Sequence, residues 1–125
     1  MEKTKFNELK QVFKTLHGPK GCAWDKEQTF QSLIKSLKEE TQELIDAIEN
    51  GKSEYIKEEL GDVLLLVMFY AQMAEKQKKF NIEDIIDVLI KKLKRRHPHV
   101  FEKTKAISSA EVVENWKKIK GQERA

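Results

Sequence analysis

The chain has 125 residues, which suits one domain over 1–125, and its apolar content of 39% allows a core at the lean end for a globular protein. Charged side chains make up 36% of it, but 24 basic residues nearly balance 21 acidic ones for a net charge of +3, which excludes a polybasic nucleic-acid binder on composition alone. The longest uncharged run, Val63 to Ala74, is well short of the ~18 to 20 apolar residues of a membrane span, and Met1 to Lys14 lack the apolar stretch and cleavage site of a signal peptide, so a cytoplasmic protein is expected.

Strand signals are nearly absent, and apolar residues recur at helical spacing in almost every segment, which predicts an all-α fold of four to five helices. A first helix from about Lys5 to Leu16 follows the cap Thr4 and stops at His17-Gly18-Pro19. A loop follows over Lys20 to Asp25, where the single cysteine, Cys22, allows no internal disulfide and no zinc spacing and is expected to be buried or incidental. The second helix, about Thr29 to Glu49, gathers Leu33, Ile34, Leu37, Leu44, Ile45 and Ile48 on one sector and ends at Asn50-Gly51. The third, about Glu54 to Gln77 with Ser53 as its cap, is so close behind that the two should pack antiparallel.

Asn81 is placed to cap a fourth helix through about Arg95, with Ile82, Ile85, Ile86, Leu89, Ile90 and Leu93 inward and His97-Pro98 closing it. After a polar loop, Ser108 and Glu111 have the spacing of a capping box for a last helix whose apolar face is Val112, Val113, Trp116 and Ile119. From Val63 to Ala71 the third helix is apolar on all sides. One layer of short helices would leave part of it uncovered, so a homo-oligomer, most simply a dimer, is expected to complete the core.

The acidic residues of the two central helices carry the chemical signal. Glu40 falls inside the apolar sector of the second helix with Glu43 one turn on, and Glu59 and Asp62 repeat the i, i+3 spacing on the line of Leu66, Phe69 and Met73. An antiparallel hairpin would bring the four together, and two carboxylates ~5 Å apart repel by roughly 3 kcal/mol at an effective dielectric of ~20. They must therefore be protonated, paired with bases, or neutralised by a cation. Oxygen-only ligands favour magnesium, manganese or calcium over zinc or copper, and magnesium, which bridges a few carboxylates to substrate phosphates, is the best candidate, with manganese as a substitute. The plainer account is a set of surface acids paired with Lys35, Lys38 or Lys57, which suits any one of them better than the four together. A di-iron or di-manganese bundle would need Glu-x-x-His, and no histidine stands at that spacing.

Glu39-Glu40-Thr41-Gln42-Glu43 followed by Glu59-Leu60-Gly61-Asp62 resembles the EExxE and ExxD pair of the MazG nucleotide pyrophosphohydrolases. The resemblance extends through Gly21-Cys22-Ala23-Trp24-Asp25 with Gln28-Thr29, the run from Lys92 to Phe101, and Trp116 to Lys120, and it covers the chain from about Phe6 to Glu123. It implies magnesium-dependent hydrolysis of nucleoside triphosphates between the α and β phosphates by a dimer or higher oligomer. Glu40, Glu43, Glu59 and Asp62 would be metal ligands, and Lys92, Arg96, Trp116 and Lys120 would meet the nucleotide. Ala23 stands where the family usually has Pro, and Phe30 where it often has His.

Read by themselves, Lys92 and Arg96 are spaced i, i+4 and suit a polyanion, though a basic helix end is also favourable to the helix dipole. Trp116 suits either a core or a base stack with Lys120 one turn on, and Trp24 either a lid over the substrate or an anchor for its loop. Glu39, turned about 100° from Glu40, is a candidate to orient or deprotonate an attacking water, or a solvated acid paired with a lysine. The rival functions are a helical nucleic-acid-binding module, a non-catalytic interaction bundle, and a narrower pyrophosphatase for dUTP, dCTP or phosphoribosyl-ATP.

Overall fold

The computed structural model describes residues 4–102 and 107–123. Among them it contains seven helices and no strand: α1 Lys5–Leu16, α2 Ala23–Glu27, α3 Ile34–Asn50, α4 Ser53–Lys76, α5 Ile82–Arg96, α6 Pro98–Phe101 and α7 Ser109–Glu123. The all-α expectation holds, and the five long helices are the ones that periodicity predicted, with a later start for α3. The short α2 and α6 are additional, because a helix of four or five residues has no period to read. The chain divides into two compact units, Met1–Ile82 and Glu83–Ala125.

Local chemistry explains most of the helix ends. Thr4 Oγ1 accepts the Asn7 N–H at 3.0 Å and opens α1 as expected. The start of α3 falls at Ile34, later than predicted, because Thr29 and Ser32 bond each other reciprocally: the Thr29 N–H donates to Ser32 Oγ at 2.8 Å and the Ser32 N–H to Thr29 Oγ1 at 3.0 Å. These side chains offer the backbone an alternative to the helix. Gly51, with φ at 82°, ends α3 in the left-handed conformation and donates its N–H to Ala47 O at 3.0 Å. Ser53 is the first residue of α4 and not its cap; Lys52 holds that position without a side-chain bond. Ser108 Oγ accepts the Glu111 N–H at 3.2 Å and so caps α7. The polar loop expected before it lies largely outside the described residues.

In the first unit α3 and α4 form the expected hairpin and α1 packs on α4. Its core joins Phe13, Leu33, Met68, Phe69 and Met73, with Phe30 and Tyr70 against it. The Tyr70 hydroxyl donates to the Phe30 carbonyl at 2.9 Å and ties the segment before α3 to α4.

Not all of the sector expected inward on α3 is covered. Leu33 and Ala47 are buried and Leu44 half-buried, whereas Ile34, Leu37, Ile45 and Ile48 lie on a neighbouring line and are exposed. On α4, Leu60, Leu64, Leu65 and Val67 are exposed as well. Burying one line of a helix against a single neighbour leaves the adjacent line bare.

The second unit is organised around the end of α5. Arg96, 7% exposed, gives its Nε and Nη2 to Glu123 Oε1 of α7 at 3.2 and 2.9 Å, and Arg95 also pairs with Glu123. Burial works against the Glu123 carboxylate, but the two guanidinium groups prevail and hold its pKa below the usual range. On α5, Ile85 and Ile86 are half-buried, but Leu89, Ile90 and Leu93, expected inward, are exposed.

Candidate functional site

Two turns, one on each arm of the hairpin, supply the acids. Glu40 and Glu43 come from α3 and Glu59 and Asp62 from α4, and one carboxylate oxygen of each lies within 4.8 Å of the others. The i, i+3 spacing places each pair on one helix face, and the hairpin turns the two faces toward each other. Of the three lysines that could have neutralised them, two are engaged elsewhere, Lys35 at 3.9 Å from Glu39 and Lys57 at 2.9 Å from Glu54, and Lys38 is exposed. Among the described residues, none of the ion pairs reaches the four acids.

The electrostatics follow from this crowding. Glu40 Oε2 and Glu59 Oε2 are buried without a hydrogen-bond partner among the described residues. Burial first, then the close approach of Glu43 and the charges of Asp62 and Glu59, push Glu40 up to about 7. Glu59 is raised for the same reasons, with burial again foremost and Glu43 next. A buried acceptor without a donor costs roughly 1 to 3 kcal/mol. Four hard oxygen donors within one small sphere fit a divalent cation, which would satisfy both orphan oxygens and reverse the repulsion.

An open cleft of about 180 Å³ adjoins this cluster, lined by Glu40 and Asp62 and by Leu33, Leu65, Phe69 and Trp24. That volume is below the ~300 Å³ of a pocket that encloses a whole small molecule, so the cleft suits one part of a larger ligand. Trp24 is 57% exposed and meets Phe69 edge to face with ring centroids 6.3 Å apart. Its loop is closed tightly: the Cys22 N–H donates to Leu16 O at 2.9 Å, and a Cβ on Gly21 would lie 2.0 Å from that same oxygen. Only glycine fits there, and α2 follows with Trp24 in its first turn. Cys22 itself is exposed, which leaves the incidental reading of the thiol.

The other sequence-derived candidates stand as follows. Glu39 is exposed, is not one of the four clustered acids, and has Lys35 for its neighbour. In the second unit the Arg96 guanidinium lies over the Trp116 ring at 5.6 Å, and His97 meets that ring at 5.7 Å, so Arg96 and Trp116 are brought together. Lys92 is half-buried and Lys120 exposed. Two residues escaped the sequence reading. Glu123 was visible only as a charge at the end of the last helix, and His17 only as part of a helix stop, although it is 3% exposed. A histidine beside Gly and Pro carries no signal of burial.

Comparison with known proteins adds a family. The profile described as the MazG nucleotide pyrophosphohydrolase domain matches residues 28–101, which include all four acids. The chain is 47% identical over 119 residues to a Thermotoga maritima protein named nucleoside triphosphate pyrophosphohydrolase/pyrophosphatase MazG, covering 95% of this chain and 45% of that one. It is 45% identical over 115 residues to an Escherichia coli nucleoside triphosphate pyrophosphohydrolase, covering 91% and 44%. A Bacillus subtilis protein of uncharacterised function, YabN, is 43% identical over 119 residues, and this chain spans 24% of it. The chain thus spans less than half the length of these relatives. The crystal structure of a mazG-related protein from Thermotoga maritima matches with a TM-score of 0.72 at 25% identity, covering 90% of this chain and 96% of that one.

Proposed function

Since this chain belongs to the MazG nucleotide pyrophosphohydrolase family, we propose that it hydrolyses nucleoside triphosphates between the α and β phosphates, yielding a nucleoside monophosphate and pyrophosphate with magnesium as cofactor. The observation that carries this reading is the cluster of Glu40, Glu43, Glu59 and Asp62, with two buried oxygens that have no hydrogen-bond partner, and four acids that no ion pair reaches, among the described residues. Those four would hold the cation, and manganese would serve in its place. Bound there, a divalent cation withdraws charge from phosphate oxygens and lowers the pKa of a water.

The remaining roles belong to the chain's own side chains. Lys92, Arg96 and Lys120 supply positive charge for the triphosphate, and Trp116 a face for the nucleotide. Arg96 arrives already oriented by Glu123 and by the Trp116 ring, so little freedom is lost when it meets a phosphate. Trp24, half-exposed at the cleft that Glu40 and Asp62 line, covers a part of the same substrate. Glu39, one residue from a ligand and only loosely held by Lys35, takes the proton of the attacking water on a carboxylate oxygen.

The exposed apolar lines Ile34, Leu37, Ile45, Ile48 on α3 and Leu60, Leu64, Val67 on α4 support a homo-oligomer that buries them. No helix among the described residues is long and apolar enough to cross a membrane. A nucleic-acid-binding module would leave the inward acids unexplained.

The test is release of pyrophosphate from a panel of nucleoside triphosphates, including dUTP and dCTP, and from phosphoribosyl-ATP, with magnesium and with a chelator. Magnesium-dependent monophosphate and pyrophosphate are expected, and Glu43→Ala or Asp62→Ala should abolish them while circular dichroism stays helical. Nucleoside diphosphate with orthophosphate, or undiminished turnover in both variants, would overturn the reading.

A further inference from the structure

Three aromatic rings in contact lead from the interior of the first unit to its cleft. The His17 imidazole, just past the end of α1, meets Phe69 edge to face, with centroids 4.7 Å apart and planes at 80°. Phe69 lines the cleft beside Glu40 and Asp62, and Trp24 meets Phe69 in the same edge-to-face manner. Phe13 backs both inner rings, 6.3 Å from Phe69 and 6.5 Å from His17. The position of the cleft's aromatic wall is therefore set from behind by a histidine.

A phenylalanine would fill that place without a polar atom to satisfy. His17 Nε2 is instead buried with no hydrogen-bond partner among the described residues. In the neutral ring Nε2 can stand as an acceptor without a donor, but in an imidazolium both nitrogens carry protons, and Nε2–H would face no acceptor. The charges facing the ring come from the two neighbouring helices. Asp25 of α2 favours a proton on it, whereas Lys76 of α4, whose ammonium donates to the His17 carbonyl at 3.0 Å, opposes one. Burial, the largest influence, and Lys76 outweigh Asp25 and hold the ring's pKa below its ordinary value.

We propose that His17 is an acid-sensitive positioning residue of the cleft: its neutral ring holds Phe69, and through it Trp24, in place, and a proton on that ring forces it out of the aromatic contact and loosens the wall that receives the nucleotide. The inference rests on reading the cleft as part of the nucleotide site. The proton moves between solvent and the imidazole alone, with no bond made or broken elsewhere. Cytoplasmic acidification would then weaken substrate binding before it unfolds the protein.

The experiment has an optical arm and a kinetic arm. In a Trp116→Phe background Trp24 is the remaining tryptophan of the two. Its emission, followed from pH 8 to 5 without nucleotide and with chelator, should show a step with a midpoint below that of an ordinary histidine. The step should vanish in His17→Phe and move to higher pH in Lys76→Met; a step due to Glu40 would survive in His17→Phe. In the otherwise unaltered enzyme, KM for a nucleoside triphosphate should rise about threefold to tenfold through the same pH range relative to His17→Phe, the size of one aromatic pair, with the kcat ratio unchanged. An emission profile that is unchanged in His17→Phe, or a KM profile that is the same in both proteins, overturns the proposal. If no nucleotide is turned over, the proposed function fails, and the emission arm alone decides whether His17 positions Trp24. If His17→Phe does not fold, the proposal stands or falls on whether Lys76→Met moves the midpoint upward.

Discussion

Replacing Asp62 with Asn should make the metal-free protein more stable and the magnesium-treated protein scarcely more stable than that. The four carboxylate oxygens lie within 4.8 Å of one another, and one pair at that distance repels by about 3.5 kcal/mol at an effective dielectric of about 20. The site is half-open to solvent, so screening reduces each such repulsion to about 1 kcal/mol or less. Asn keeps the shape of Asp62 and removes its charge, relieving repulsion with Glu40, Glu43 and Glu59 together. The metal-free variant should gain about 1 to 2 kcal/mol, which for a domain of this size raises Tm by about 4 to 8 °C. Magnesium at a hundred times its dissociation constant would stabilise the wild type by about 2.7 kcal/mol, and the variant, short of one ligand, by much less. Thermal melts at pH 8 and one fixed protein concentration, first in chelator and then along a magnesium titration, measure both effects. A variant that melts at or below the wild type in chelator, and that magnesium stabilises as much, would refute the view of the cluster as a site destabilised for the sake of a cation.

Glu40 predicts a pH dependence of defined sign in the metal-free protein. Its folded pKa of about 7 lies above the ordinary 4.5, so the folded state holds this proton more tightly. The resulting stability is fully present below about 4.5 and is lost as the pH rises through about 7; denaturation midpoints in chelator should fall across that window, and less steeply in Glu40→Gln. Gly21→Ala should lower stability by about 2 kcal/mol or more, because the new methyl would overlap the Leu16 carbonyl, and a melt beside the wild type checks it.

Much of the fold was legible because helical periodicity and caps are local. The bounds of α1 and the cap Thr4 came from a few adjacent residues. The acids were legible for a related reason: a spacing of three on each of two helices joined by a short turn leaves few places for them but together. Burial was less legible. Ile34, Leu37, Ile45 and Ile48 look as core-facing as Leu33 on a helical wheel, yet they lie bare on the single chain. A wheel shows which residues share a face and not how wide a face the neighbour covers.

By itself the sequence determined an all-α chain, the order of its long helices and the pairing of the four acids, since each depends on interactions within a few residues or across one tight turn. Tertiary structure decided the rest. It gave Arg96 to Glu123 and Trp116, set Trp24 on Phe69 at the cleft beside the acids, and buried His17 behind that wall. Those partners lie too far apart in the chain for any period to link them, and only packing, which ranks contacts by shape and desolvation, selects them.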